Sequence, residues 1–368
     1  MTLLRFDKLT AALANASLES IALIPSPSLR YLTGLDFHLM ERPVVLFVRA
    51  DGMAAIVLPT LETGRLDSLA FQVHPFSYSD NPATWQMAFN QAVSFLKLEK
   101  AAIGVEPIHF RFLETQFIKA AAPSARLVAA DTIMDQLRIQ KDDAEITAMK
   151  TAVQIAQNAF LGTLPAIQPG VSERDIAAEL VLQLLRCGSE PEFPFQPIVS
   201  AGENSANPHA TPTNRKLQSN EILLIDWGAS FEGYCSDLTR VLAVGYLPAE
   251  LNTIHTAVHQ ANRAALAAAQ PGIPAGVVDQ AARKVIERAR YGPQFNHRVG
   301  HGLGLEAHEP PYMFTENQHL LEPGAAFTIE PGIYLAGLGG VRIEDDVLIT
   351  NDGAECLSDL PREIFQLG

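Results

Sequence analysis

Cysteine is scarce in this chain of 368 residues: Cys187, Cys235 and Cys356 are odd in number, far apart and without a CxxC pair. That argues against a disulfide framework and a thiolate metal site, and it suits a reducing cytoplasm, the expected location. Long apolar runs are missing too. None approaches the roughly 18 residues needed to span a bilayer, so no membrane partner is expected. The opening segment, MTLLRFDKLTAALANAS, reads as an amphipathic helix and lacks the apolar core and small-residue cleavage site of a secretory signal. Basic runs are also absent. Lys and Arg number 27 against 41 Asp and Glu, and the resulting net charge of −14 disfavours nucleic acid as a partner.

What is present is a globular composition, 48% hydrophobic and 18% charged, at a length that exceeds one ordinary core and points to two domains. Residues 1–133 alternate short β-branched runs with amphipathic helices, as in a small α/β domain. SIALIPS, VVLFVRADGMAAIVLP (a hairpin turning at Asp51-Gly52), AAIGVE and ARLVAAD read as strands, and ATWQMAFNQAVSFLKL and FRFLETQFIKAAAP as helices. From 134 to 368 the texture changes. DDAEITAMKTAVQIAQNAFLGTL and VSERDIAAELVLQLLRCG form one helical pair, the second helix capped by Ser172 and closed by Gly188. A second pair covers 248–270 and 275–290. Strands are expected at 195–201, 221–228, 237–245, 325–335 and 341–350. Paired helices with hairpins suggest an α+β domain with an antiparallel sheet and an internal two-fold repeat.

Within those strands the acids stand out. LLIDWGASFEGYCSD puts Asp226 and Asp237 eleven positions apart on a hairpin that should enter the core. A two-residue loop at Glu232-Gly233 sets Asp226 opposite Thr239, with Asp237 its diagonal neighbour. A four-residue loop one residue earlier sets the two acids directly opposite. Either register leaves both carboxylates on one face, where they repel unless a cation lies between them. Cys235 beside them reads as a small buried hydrophobe. HRVGHGLGLEAHEPP then concentrates His297, His301 and His308 among glycines, three of the ten histidines in the chain, and matches no phosphate-loop pattern. Glu330 in FTIEPGIYL and Glu344 in GGVRIEDDVLIT are acids inside apolar strands, a costly placement without a partner or a metal. A salt bridge to Arg342 would account for Glu344 but not for Glu330. Four carboxylates and one imidazole suit Mn²⁺ or Co²⁺ and accommodate Zn²⁺; carboxylates that bridge could hold two ions, an arrangement made for hydrolysis.

The ordered set Asp226, Asp237, His301, Glu330 and Glu344, with the strings IDWGASFEGYCSDLTR, GHGLGLEAHE, TIEPGIY and GVRIEDD, resembles the dinuclear site of the pita-bread metallopeptidases, most closely the Xaa-Pro peptidase branch. The resemblance implies a pita-bread catalytic domain with a pseudo-two-fold antiparallel sheet and flanking helices, preceded by a creatinase-like α/β domain. It implies two divalent metal ions, Mn²⁺ foremost with Co²⁺, Zn²⁺ and Fe²⁺ as alternatives. The implied reaction is cleavage of the bond before proline in dipeptides or short peptides, by attack of a metal-bridging hydroxide, in a homodimer. By position it makes His209 a pocket histidine that steadies the intermediate, and His308 a hydrogen-bond donor to substrate. It makes Arg342 an orienting arginine, Glu330 both ligand and proton shuttle, and His297 pocket-lining. Two departures stand out: Ala307 replaces a β-branched residue, and Tyr312 stands where many dipeptidases carry an arginine that reads the substrate carboxylate. Methionine aminopeptidases usually lack the N-terminal domain; a metal-free relative such as creatinase lacks the ligand set, and the non-catalytic interaction proteins of this fold have lost ligands.

Overall fold

The computed structural model describes residues 2–367; Met1, placed in the first helix by the sequence, and Gly368 lie outside the described residues. The chain divides into two compact units, Met1–Arg138 and Ile139–Gly368.

The first unit is built on one mixed sheet of six strands. In spatial order these are His74–Tyr78, Ala54–Pro59, Val45–Arg49, Ser20–Leu23, Ala102–Val105 and Arg126–Ala129. The central strands are buried along their length, which is why they read as near-continuous apolar runs. The expected hairpin turns at Gly52, whose φ of +87° is open to glycine. Trp85–Leu96 and Phe112–Ala121 cover the sheet, with Phe89 and Phe117 stacked at 4.9 Å. Several elements were not anticipated, three of them strands or α-helices. His74–Tyr78 is a mostly exposed edge strand containing Pro75, a residue that sequence reading counts against a strand. Pro27–Thr33 is a short helix capped by the Ser26 side chain and closed by Gly34 in the left-handed region. The helix Asp131–Ile139 ends where the second unit begins.

In the second unit the helix pairs are Asp143–Thr163 with Glu173–Arg186 and Ala249–Ala268 with Ala275–Arg288. Asp142 and Glu145 form a full capping box, and Ser172 accepts from the Asp175 N–H. Each pair packs mainly on its own strands, with Ile222 and Val241 of the first set also joining the core of the second pair. The first shares a core with Glu221–Trp227 and Leu238–Val244, and the second with Ala326–Ile329 and Asp345–Thr350. The sequence repeat of helix pair and strands is therefore a repeat of layers. All strand pairs described in this unit are antiparallel except Phe365–Leu367, which joins Leu238–Val244 in parallel. The two sets of strands meet at one bridge, Thr239 to Glu344.

His255 is buried in Ala249–Ala268, and its Nε2 lies 3.0 Å from the Arg362 carbonyl. Burial pulls this imidazole down to about 4 from an ordinary 6.5. A folded-state pKa below the unfolded one gives stability that is complete above pH 6.5 and lost as pH falls towards 4. The loss is up to about 2 kcal/mol for a group buried this far. His255→Gln should flatten that slope in urea unfolding compared between pH 7.5 and pH 5; parallel slopes for variant and parent would count against it.

Candidate metal centre

Asp226 sits in the strand Glu221–Trp227, directly opposite Thr239. The loop is the two-residue one, Glu232-Gly233, both with positive φ (50° and 83°), as a turn matched to strand twist requires. Asp237 is thus the diagonal neighbour of Asp226. At that point the ladder opens: the Asp237 N–H donates to Oδ2 of Asp346 at 3.1 Å. Trp227, next to Asp226, stacks on Phe160 at 4.6 Å and donates to the Ala156 carbonyl at 2.9 Å, which seats this strand on the helix below it.

His301 is delivered by the glycine loop. A β carbon on Gly300 would come within 1.9 Å of the Thr328 carbonyl oxygen, so only glycine lets the loop lie against the strand Ala326–Ile329. His301 then exchanges two bonds with Thr328, its N–H to Oγ1 at 3.2 Å and its carbonyl to the Thr328 N–H at 2.8 Å. Nδ1 of its ring lies 3.2 Å from the Gly302 carbonyl, an arrangement that holds the proton on Nδ1 and leaves the Nε2 lone pair facing inward.

Glu330 and Glu344 do not lie inside continuous strands, as the sequence suggested. Each falls at a break: Glu330 between Ala326–Ile329 and Gly332–Leu335, Glu344 between Gly339–Arg342 and Asp345–Thr350. Pro331, which has no N–H to give a ladder, follows the first. The second is held by its neighbours. Thr239 Oγ1 donates to Glu344 Oε2 at 2.7 Å, and the fully buried Arg240 donates to the Glu344 carbonyl at 2.6 Å while pairing with Asp345.

Three sets of ligand atoms converge to within 4.8 Å: Asp226, Asp237 and Glu344; His301, Glu330 and Glu344; and Asp237, His301 and His308. His301 Nε2 is 3.4 Å from Glu330 Oε1 and 3.7 Å from Asp237 Oδ2. These are not ion pairs, because burial and the neighbouring His308 keep the His301 ring well below the usual imidazole range and so neutral. Burial drives every carboxyl of the cluster upward: Asp226; Asp237, with Glu344 and Asp226 adding to the push; Glu344, with Glu330 adding; and Glu330 to about 7. Oδ1 of Asp226 is buried without a hydrogen-bond partner. Converging carboxylates, an inward imidazole lone pair and an orphaned carboxylate oxygen fit divalent cations.

Arg342 reaches Glu344 at 3.9 Å, Nε to Oε2, and its Nη2 makes a much closer pair with Asp226. Nε donates to Thr239 Oγ1 and Nη1 to the Tyr334 hydroxyl, each at 3.0 Å. That hydroxyl also lies 3.1 Å from Nε2 of the half-buried His297. Tyr334 was not anticipated, although it stands four residues after Glu330 and shares its strand parity. Neither was Asp346, whose parity with Glu344 was equally visible. His308 is exposed, its ring packed edge-on to His301 at 3.9 Å. His209 is exposed in the loop after Gly202–Ala206, near enough to Asp226 and His308 to bias both. Tyr312 carries the Arg298 guanidinium over its ring at 4.4 Å. Cys235 is buried, its thiol pushed up to about 12, and unsuited to chemistry.

A hydrolase built on a carboxylate-rich metal centre is the class that this fold and site define. The model of metallopeptidase family M24 matches residues 147–351, and that of the creatinase/prolidase N-terminal domain matches residues 5–140. The chain belongs to metallopeptidase family M24, whose members use divalent metal ions. It is 33% identical to an Xaa-Pro dipeptidase of Lactobacillus helveticus over 368 residues, 98% of each chain. Among solved structures it is similar to a dipeptidase from Pyrococcus horikoshii, with a TM-score of 0.93 at 35% identity, covering 99% of this chain and 100% of that one. It is also similar to a prolidase from Thermococcus sibiricus, with a TM-score of 0.92 at 33% identity, covering 99% and 98%. The fold is that of the prolidases, and the protein is a peptidase. Among the described residues no helix is long and apolar enough to cross a membrane.

Proposed function

We propose that this chain is an Xaa-Pro dipeptidase that holds two divalent ions, Mn²⁺ foremost, on Asp226, Asp237, His301, Glu330 and Glu344. The observation that carries the reading is that two of the convergent ligand sets share Glu344. One carboxylate common to both is what a pair of ions side by side requires. Bound there, such ions supply Lewis acidity toward a carbonyl and a nucleophile at neutral pH.

The chain's own residues do the rest. Thr239 and the Gly302 carbonyl fix the rotamers of Glu344 and His301, so the donor atoms are set before substrate arrives. Arg342 balances part of the charge on Asp226. Proline's nitrogen is a tertiary amide and leaves only when protonated. Glu330 is the proton carrier in this reading, since its side chain, at 16%, is more exposed than those of Asp226, Asp237 and Glu344. His308, exposed above the His301 ring, donates to the oxygen on which charge develops, and His209 lines the same pocket. Arg298, stacked on Tyr312, puts a cation beside the position that lacks the family's arginine, which favours a substrate ending in a free carboxylate. A neutral Tyr312 on its own would favour a longer peptide, cut as by an aminopeptidase.

The test is hydrolysis of Ala-Pro, Ala-Pro-Ala and Ala-Ala beside elemental analysis of the purified protein. Ala-Pro should be cut fastest, Ala-Ala negligibly, and all cleavage should stop after chelation. Undiminished Ala-Pro cleavage by metal-free protein would refute the reading, and faster cleavage of Ala-Pro-Ala would replace dipeptidase by aminopeptidase.

A further inference from the structure

A buried ion pair adjoins His308 and has no part in the chemistry above. Glu309 follows His308 directly, and its Oε1 lies 2.7 Å from Nζ of Lys141, the two side chains being 4% and 1% exposed. Lys141 is 168 residues away in sequence, immediately before the capping box of Asp143–Thr163. Its backbone is anchored as well, the N–H donating to the Gly324 carbonyl at 2.9 Å. Taking two charges out of water carries a desolvation cost that their attraction only partly offsets, and apolar residues of similar volume often serve stability as well. Fixing a geometry is the better account of such a pair.

The geometry it fixes is that of the loop joining His301 to His308. Gly302 donates to the Pro311 carbonyl at 2.8 Å and accepts from the Glu309 N–H at 3.0 Å, so the loop folds back on its own start. Gly304 passes so close that a β carbon there would stand 2.5 Å from Glu309 Oε1. The Gly304 carbonyl in turn accepts from the Cys235 N–H at 2.8 Å, two residues before Asp237. Glu309 is therefore enclosed by the loop it belongs to, and Lys141 pins it from outside that loop.

We propose that Lys141 and Glu309 form a positioning pair that sets His308 over the ring of His301, and with it the direction of the hydrogen bond His308 offers to substrate. This rests on the reading of His308 given above. Lys141→Met combined with Glu309→Gln removes both charges together and leaves neither buried alone. In Mn²⁺-loaded enzyme, kcat for Ala-Pro should fall about tenfold to a hundredfold with KM within about twofold, as when a catalytic group is slightly misplaced. In a His308→Ala background the same two substitutions should cost less than about a further twofold, because residues acting through one group are not additive. An equal loss in both backgrounds overturns the proposal and leaves the role of His308 standing. No loss from His308→Ala alone overturns both. If the double variant does not fold, Glu309→Asp keeps both charges and shortens the reach by one methylene. The same non-additivity is required of it, and an additive loss or none overturns the proposal.

Discussion

Asp237→Asn is expected to lower Ala-Pro hydrolysis on the order of 10³-fold or more, since a metal centre supplies several kcal/mol of transition-state stabilisation. It should also lose bound metal, and yet make the metal-free protein more stable. Asp237 belongs to two of the three convergent ligand sets, so its carboxylate cannot be replaced by a neighbour. Without a cation the same carboxylate is a liability: it is buried, and Glu344, Asp226, Asp346 and Glu330 all push its pKa upward. Asparagine keeps the shape and removes one of the repelling charges. The backbone is undisturbed, because the bond that holds it runs from the Asp237 N–H to Asp346. The metal-free variant should exceed the metal-free parent by about 1–2 kcal/mol in urea unfolding. A variant that keeps its metal and activity, or whose metal-free form is the less stable of the two, would show that Asp237 is structural.

That prediction rests on what a turn makes legible. The turn around Glu232-Gly233 left two registers open in the sequence, and either one puts Asp226 and Asp237 on one face. The glycines around His301 were visible as an irregular segment, but their reason was not: Gly300 is small because it passes the Thr328 carbonyl, a contact between segments far apart in sequence. The break at Glu330 was signalled by Pro331, which has no N–H to give a ladder. The break at Glu344 was hidden, because that acid lies in a run whose local pattern is strand. Lys141 and Glu309 could not have been paired from sequence, since each looks like an ordinary surface charge and 168 residues separate them. In the first unit the apolar central strands announced themselves. The edge strand His74–Tyr78 did not, because it contains proline and buries only Tyr78 fully, leaving too short a pattern to read as a strand.

Removal of the metal should be as telling as removal of a ligand. Binding at 100 to 1,000 times Kd adds about 3–4 kcal/mol to the folded state, so chelation should lower Tm by about 10 °C for a domain of this size. The dependence on pH carries more information than the shift itself. In the metal-free protein Glu330 has its carboxyl raised by burial from 4.5 to about 7. A folded-state pKa above the unfolded one gives stability that is present below pH 4.5 and lost as pH rises through 7. Asp226, Asp237 and Glu344 are shifted in the same direction. Acidification from pH 8 to pH 5.5 should therefore favour the metal-free fold, by about 2 kcal/mol from Glu330 alone. The loaded protein should respond with the opposite sign, because protons compete with metal for the same oxygens. Contributions common to both forms, such as that of His255, cancel in the difference. The gap in Tm between loaded and stripped protein should be widest near pH 8 and close as pH falls towards 5.5, measured by differential scanning calorimetry at matched ionic strength. A gap that stays constant, or widens on acidification, would mean that the buried carboxylates are not what the metal neutralises.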